Sequence, residues 1–309
     1  MLAKPGVETA LTELASKITV LEGGWIVGEV RAGQNSPVGV GELADAIYTA
    51  WYARPASVEK VATDPPLHRL SLTSGLRAAH PRSKGFSPGW IVLACDATGA
   101  VRAMSGQRMR WLRPGEYVLE SRPGVPPAPG EQISVIDRLD HVDPERRLWW
   151  TYSPDEPVPP IGRIYANVRA ATAAHAIDIF IRTLMSAGVS YQAKIPELAE
   201  AIRRVDSLVI YHSRRDRPAV LDALGGAQEQ LSRLLDDESP PLTCSIAPGL
   251  SWADDPGDGK SFGQSRCSAL ATAVAGEPVW NSQTVYERLG VLCSGLMQAG
   301  IDPEQPWLA

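Results

Sequence analysis

Apolar residues recur at helical spacing near the start of the chain. Leu11, Leu14, Ile18 and Leu21 share one face of a helix predicted over residues 7–21. A glycine-rich connector from Gly23 to Gly41 follows. Leu43, Ala46, Ile47, Ala50 and Trp51 then repeat the pattern up to Arg54, where Pro55 stops a second helix. These elements predict a helical N-terminal lobe over residues 1–65. From Trp90 the period falls to two. Ile91–Cys95, the turn Asp96–Gly99 and Val101–Met104 read as a hairpin, and Tyr117–Leu119, Gln132–Ile136 and Leu148–Tyr152 continue an antiparallel segment. Proline and glycine fill the gaps as loops. From Arg163 strands and helices alternate: strands at 163–168, 189–195, 208–211 and 242–246, and helices at 170–187, 197–204 and 218–235. Further helices follow Phe262 and Ser282. The predicted class is α+β: a helical lobe, an antiparallel β segment, then a βαβαβαβ-like segment with flanking helices. Residues 66–309 form the α+β domain, either separate from the lobe or continuous with it.

Composition narrows the class without choosing a function. The chain has 309 residues, 44% hydrophobic and 21% charged, which suits a folded protein with a sizeable core. Its net charge of −5 gives no basic signature for nucleic acid. No apolar run reaches the length of a membrane span, and no basic segment precedes an apolar run at the start. The expectation is a cytoplasmic protein with neither a nucleic-acid nor a membrane partner. Cys95, Cys244, Cys267 and Cys293 form no C-x-x-C pair, and five histidines show no zinc spacing. Reduced thiols, no metal and no cofactor are expected.

Several constellations could carry chemistry. Asp255-Pro-Gly-Asp-Gly259, with Lys260 and Ser261, precedes a predicted helix, where backbone N–H groups and a helix N-terminus favour an anion. It is not a P-loop: that motif needs a glycine five positions before Gly259, where Asp254 stands, and no strongly apolar strand is expected to feed it. Arg77, His80, Arg82 and Lys84 cluster in a loop before the first β hairpin. They read as a phosphate-binding group, with His80 able to move a proton, or as a solvated polar loop. Arg163, Tyr165 and Asn167 alternate along one strand and share a face, where buried polar groups need partners or a ligand. Lys194 lies in a predicted core strand, where burial would lower its pKa toward that of a usable base. Alternatively it marks the exposed end of the strand before Pro196. Arg214, in Tyr211–Asp216, belongs to a local ion-pair cluster or reaches a phosphate. Arg266 stands one turn into the helix after the glycine-rich loop. His68, His141 and His175 have no supporting neighbours and receive no role.

Four local patterns resemble one family. They are Leu43-Ala-Asp-Ala-Ile-Tyr48-Thr-Ala-Trp51-Tyr52-Ala-Arg-Pro55, Ser87-Pro-Gly-Trp90 with Pro114-Gly-Glu-Tyr117, and Arg163-Ile-Tyr165-Ala-Asn167 with Gln192-Ala-Lys194. The fourth is Ala247-Pro-Gly-Leu250 with Asp255-Pro-Gly-Asp-Gly259, Ser261-Phe-Gly263 and Arg266-Cys267. In this order, over roughly residues 40–275, the chain resembles the HopA-type effector family. Bacterial members of that family occur in ribosomal-peptide biosynthesis beside a kinase resembling aminoglycoside phosphotransferases. The resemblance implies a lyase of class V lanthipeptide or thioamitide maturation. Such a lyase eliminates phosphate from phosphoserine or phosphothreonine of a precursor peptide, leader plus core, and leaves dehydroalanine or dehydrobutyrine. The chain departs from the family pattern at Lys260, where an acidic residue is expected, and at His80, where asparagine is more usual.

Elimination of this kind needs a base for the Cα proton, cations for the leaving phosphate, and stabilisation of developing enolate charge. The expected assignment makes Lys194 the base, with His80 or Tyr165 protonating the leaving oxygen or polarising the substrate. Arg77, Arg82, Lys84, Arg163, Arg214 and Arg266 would bind phosphate, and Asn167, Asp255, Asp258, Gly259 and Ser261 the substrate. The alternative is a non-catalytic partner that binds the leader peptide and the kinase.

Overall fold

The computed structural model describes residues 5–33, 39–54, 76, 86–106, 108–119, 121–122, 125–136, 140–142, 149–152, 157–196 and 198–309. Its class is the expected α+β. Helix α1 (Pro5–Lys17) is shorter than the apolar spacing predicts. The reason is the β-branched run Ile18-Thr-Val20, which favours an extended backbone. The end of the expected helix and the first part of the expected Gly23–Gly41 connector instead form an antiparallel meander of β1 (Ile18–Leu21), β2 (Gly24–Val27) and β3 (Val30–Gly33). Its two turns use Gly23 at φ 84° and Gly28 at φ 58°, conformations that cost glycine little. Helix α2 (Gly39–Ile47) runs into a π-helical turn, Tyr48–Tyr52, that puts two tyrosine rings on the same side.

A five-stranded sheet follows: β4 (Phe86–Cys95), β5 (Val101–Ser105), β6 (Arg108–Leu112), β7 (Tyr117–Val118) and β8 (Gln132–Ile136), in the order β6-β5-β4-β8-β7. It encloses its own small core of Trp90, Val92, Val101, Ala103, Leu112, Leu119, Ile133 and Val135.

The larger sheet contains β9 (Asp140–Val142), β10 (Trp149–Tyr152), β11 (Ile161–Ala166), β12 (Tyr191–Pro196), β13 (Leu208–Ser213), β14 (Cys244–Ala247) and β15 (Leu250–Asp254). Its order is β14-β15-β11-β13-β12-β10-β9, and every pairing is antiparallel. Trp149–Tyr152 therefore extends this sheet, not the smaller one. Helices α3 (Ala173–Ser186), α4 (Arg217–Gly226) and α5 (Gln228–Ser232) cover one face, over Ile164, Ala166, Ala193, Ile195 and Ile210. The opposite face meets α1, α2, α6 (Phe262–Ala275) and α7 (Val285–Gln298). There Tyr165, Val209 and Ala253 join a core with Leu11, Leu43, Trp51, Phe262, Leu270 and Leu292. Helices from both ends of the chain share that core.

Strand β15 is not among the expected elements. Gly249, at φ 70°, folds Leu250–Asp254 back on β14, so a strand leads into the glycine-rich loop, though with Ser251 and Asp254 in it that strand is not strongly apolar. A side chain at Gly249 would collide with the Asp236 carbonyl at 1.9 Å, so the turn admits no other residue. Helix α6 opens with a capping box. The Ser261 hydroxyl accepts from the Gln264 N–H at 3.2 Å, and the Ser261 N–H donates to the Gln264 side chain at 3.0 Å.

Candidate functional site: a polar face on the central sheet

Strand β11 sits between β15 and β13, and alternation turns Arg163 and Tyr165 toward the layer of α2 and α6. Arg163 lies opposite Tyr211 on β13, which in turn lies opposite Gln192 on β12, and Lys194 lies opposite Val209. Pairing thus brings Arg163, Tyr165, Tyr211, Gln192 and Lys194 onto one face. Two cations flank the Tyr211 ring, the Arg163 guanidinium at 5.1 Å and the Lys194 ammonium at 5.4 Å from its centroid.

Arg163 is 7% exposed. Its Nε donates to Asp255 Oδ2 at 2.8 Å, and its Nη2 pairs with the same carboxylate. Burial works against the charge, but the Tyr165 and Tyr211 phenols and the Asp255 carboxylate hold the guanidinium pKa above its ordinary value. Arg214 Nη2 donates to the Asp255 carbonyl at 3.3 Å, and its Nε lies 3.2 Å from Asp254 Oδ1. Arg217 pairs with Asp254 as well and stacks 4.0 Å over Trp252. Three guanidinium groups therefore share two carboxylates at the end of β15. Asp254 lies opposite Gly162 and so turns with Arg217 toward the α4 side of the sheet, while Lys194 stands with Arg163 on the side of α2 and α6.

Tyr165 is buried, and burial pushes its phenol above the usual range while Arg163 pulls it back only in part. The Tyr52 hydroxyl, from the π-helical turn, is buried without a hydrogen-bond partner among the described residues, and burial beside the Tyr165 phenol pushes its pKa well above the usual range. Phe262 packs against both rings, with centroids 6.2 Å from Tyr52 and 6.3 Å from Tyr165. Tyr52 stacks on Tyr48 at 5.4 Å. The Tyr48 hydroxyl accepts from Arg204 Nη2 at 2.8 Å and donates to Asp206 at 3.4 Å. Burial and the Asp206 carboxylate push Tyr48 up to about 12. The folded protein keeps this proton where the unfolded chain loses it, so stability is full below pH 10 and declines as pH rises toward 12. Denaturant melts across that range should show the decline, and Tyr48→Phe should reduce it.

The structure places the remaining candidates apart from this face or gives them other partners. Asn167 lies beyond the end of β11. Its Nδ2 donates to the Glu238 carbonyl at 3.1 Å and its N–H to Gly249 at 2.9 Å, so it clips residues 236–249 to the sheet. In the glycine-rich loop the Gly257 and Lys260 N–H groups donate to Asp255 and Asp258, each at 2.9 Å. The loop satisfies these donors itself, Gly259 holds a turn at φ 79°, and Ser261 caps α6. The loop's contribution to the polar face is the Asp255 carboxylate. Arg266 is 2% exposed; it stacks on Phe262 at 4.6 Å and donates to the carbonyls of Pro306, at 2.9 and 2.8 Å, and Leu308, at 2.6 Å. Those donors hold residues 306–308 against α6. Arg215 forms the local ion pair expected for its segment, with Asp216 at 3.3 Å. Arg77, His80, Arg82 and Lys84 lie outside the described residues. Residue patterns missed Tyr211, Tyr52 and Tyr48. The last two carried a signal, the four-residue spacing of two tyrosines at the end of an apolar helix.

Fold and site together define an α+β protein whose central antiparallel sheet carries a cation-rich polar face under a layer of helices. The model of the HopA1 effector protein family matches residues 141–308, more than half of the chain. The chain belongs to that family. It is similar in structure to the effector protein from Pseudomonas syringae pv. tomato strain DC3000, at 16% identity and a TM-score of 0.50, covering 98% of this chain and 96% of that one. That likeness concerns the fold. A second similar structure is the effector protein from Pseudomonas syringae pv. syringae strain 61, at 21% identity and a TM-score of 0.39, covering 54% of this chain and 65% of that one. No curated protein matches. Among the described residues, no helix is long and apolar enough to cross a membrane.

Proposed function

We propose that the protein is a phosphoserine/phosphothreonine lyase that eliminates phosphate from a kinase-phosphorylated ribosomal precursor peptide. The reading rests on the juxtaposition of Lys194, Tyr211, Arg163 and Tyr165 on one sheet face. In this mechanism the Lys194 amine takes the Cα proton, the Cα–H electrons form the Cα=Cβ bond, and the Cβ–O bond breaks toward the phosphate. Arg163 and Arg214 hold the phosphate as it leaves, and Arg77, Arg82 and Lys84 add further charge from their own segment. The Tyr165 phenol, kept neutral by burial, donates a hydrogen bond where charge develops, and His80 protonates the departing oxygen. The partners would be the precursor peptide, leader plus core, and an aminoglycoside-phosphotransferase-like kinase, with the work done in the cytoplasm.

A second reading, a non-catalytic partner that binds leader and kinase, draws on the commitment of Arg163 to Asp255. One experiment separates the two. A phosphoserine peptide bearing its leader is incubated with this protein alone and followed by mass spectrometry. Loss of phosphoric acid supports the lyase. No loss, with or without the kinase, overturns it in favour of the binding partner.

A further inference from the structure

The smaller sheet carries a surface unrelated to the polar face. Its register places Ile91 opposite Met104 and Met104 opposite Met109, while Arg102 lies opposite Ala94 on one side and Trp111 on the other. Val92, Val101, Ala103 and Leu112 take the inner face, so alternation turns Ile91, Arg102, Met104, Met109 and Trp111 outward. Trp111 is 57% exposed and Met104 36%, and Leu93, at the bulge in β4, is 40% exposed. Tryptophan, methionine and arginine are the types enriched where proteins meet.

Arg102 indicates what would cover the patch. Its Nη2 reaches the Met109 sulfur at 3.4 Å, and its Nε is buried with no hydrogen-bond partner. Among the described residues no carboxylate pairs with it. A guanidinium set among apolar side chains without an acid lacks the partner its geometry suits. The edge strand β6 and the residue after it read Arg108-Met-Arg-Trp-Leu-Arg113, basic in a chain of net charge −5. No described strand pairs with the outer edge of β6, leaving backbone groups in position to bond an added strand.

We propose that this face docks an extended, acidic peptide segment of a protein partner. The segment lies along β6, sets apolar side chains against Trp111 and Met109, and brings a carboxylate to Arg102. The surface is independent of the lyase assignment.

The probe is a labelled peptide of alternating Glu and Val, with a Lys–Val counterpart, titrated into the full chain by fluorescence anisotropy. The acidic peptide should bind, and the basic one should not. Trp111→Ala, exposed and therefore tolerable to the fold, should weaken binding about tenfold. Arg102→Glu should abolish binding of the acidic peptide and admit the basic one, a reversal that a merely unfolded variant would not produce. Equal binding of both peptides overturns the proposal. So does an unchanged affinity in both variants, or sedimentation showing that Trp111 instead joins two copies of this chain.

Discussion

Lys194→Met should retain the fold and lose elimination by about 10²- to 10⁴-fold, the range a positioned general base contributes. Methionine preserves the length and most of the apolar stem. Lys194 is half-exposed, so thermal stability should change little. Affinity for the phosphopeptide should stay within a few-fold, because Arg163 and Arg214 hold the phosphate in this scheme. Lys194→Arg keeps the cation over Tyr211 but supplies no base at neutral pH, so it should be as inactive as Lys194→Met. That pairing separates a lost proton acceptor from a lost charge. Quantitative mass spectrometry of single-turnover reactions gives both numbers. A wild-type rate in either variant removes Lys194 from the mechanism and moves the search for the base to His80.

The parts of this site that were legible in sequence are those produced by alternation within one strand. Arg163 and Tyr165 sit two apart on β11, and period-two geometry sends both to the same face whatever the rest of the chain does. Lys194 could be recognised as a polar residue in a core strand for the same reason. What joins these strands could not be read. Arg163 meets Asp255 across a sequence separation of 92 residues, and the pairing of β11 with both β13 and β15 creates that meeting. Arg266 looked like an anion ligand because of its place one turn into a helix. Its real partners, the carbonyls of Pro306 and Leu308, carry no sequence signal, since every residue has a carbonyl. Strand β6 was missed because Arg108 and Arg110 broke its apolar pattern, and β15 because Gly249 and the glycine-rich loop framed it as one long turn. The three-stranded meander was hidden by Ile18 and Leu21, which fit the helical spacing of α1 while belonging to a strand.

Gly263 is the position where sequence and structure give opposite expectations for a substitution. It lies in the first turn of α6, where replacing glycine with alanine should favour the helix by about 1 kcal/mol. The packing reverses the sign. An added Cβ would lie 2.3 Å from Tyr52 Cε1, 2.5 Å from Cδ1 and 2.7 Å from Cζ, and this ring has no room to move. Tyr52 is wedged among Tyr48, Phe262 and Tyr165 in the interior between the helical layer and the sheet. Gly263→Ala should therefore destabilise the protein by roughly 1–3 kcal/mol, the usual cost of overpacking a core. It should also slow elimination, because Tyr165 is held in place by the same ring. Tyr52→Leu alone should destabilise by leaving a gap. Combined with Gly263→Ala it should cost less than the sum of the two, since the smaller side chain makes room for the new methyl. Urea denaturation of the four proteins of this cycle measures the coupling directly. A stabilised Gly263→Ala, or strictly additive single effects, would mean that the α6 glycine is not what lets the tyrosine stack close over the sheet.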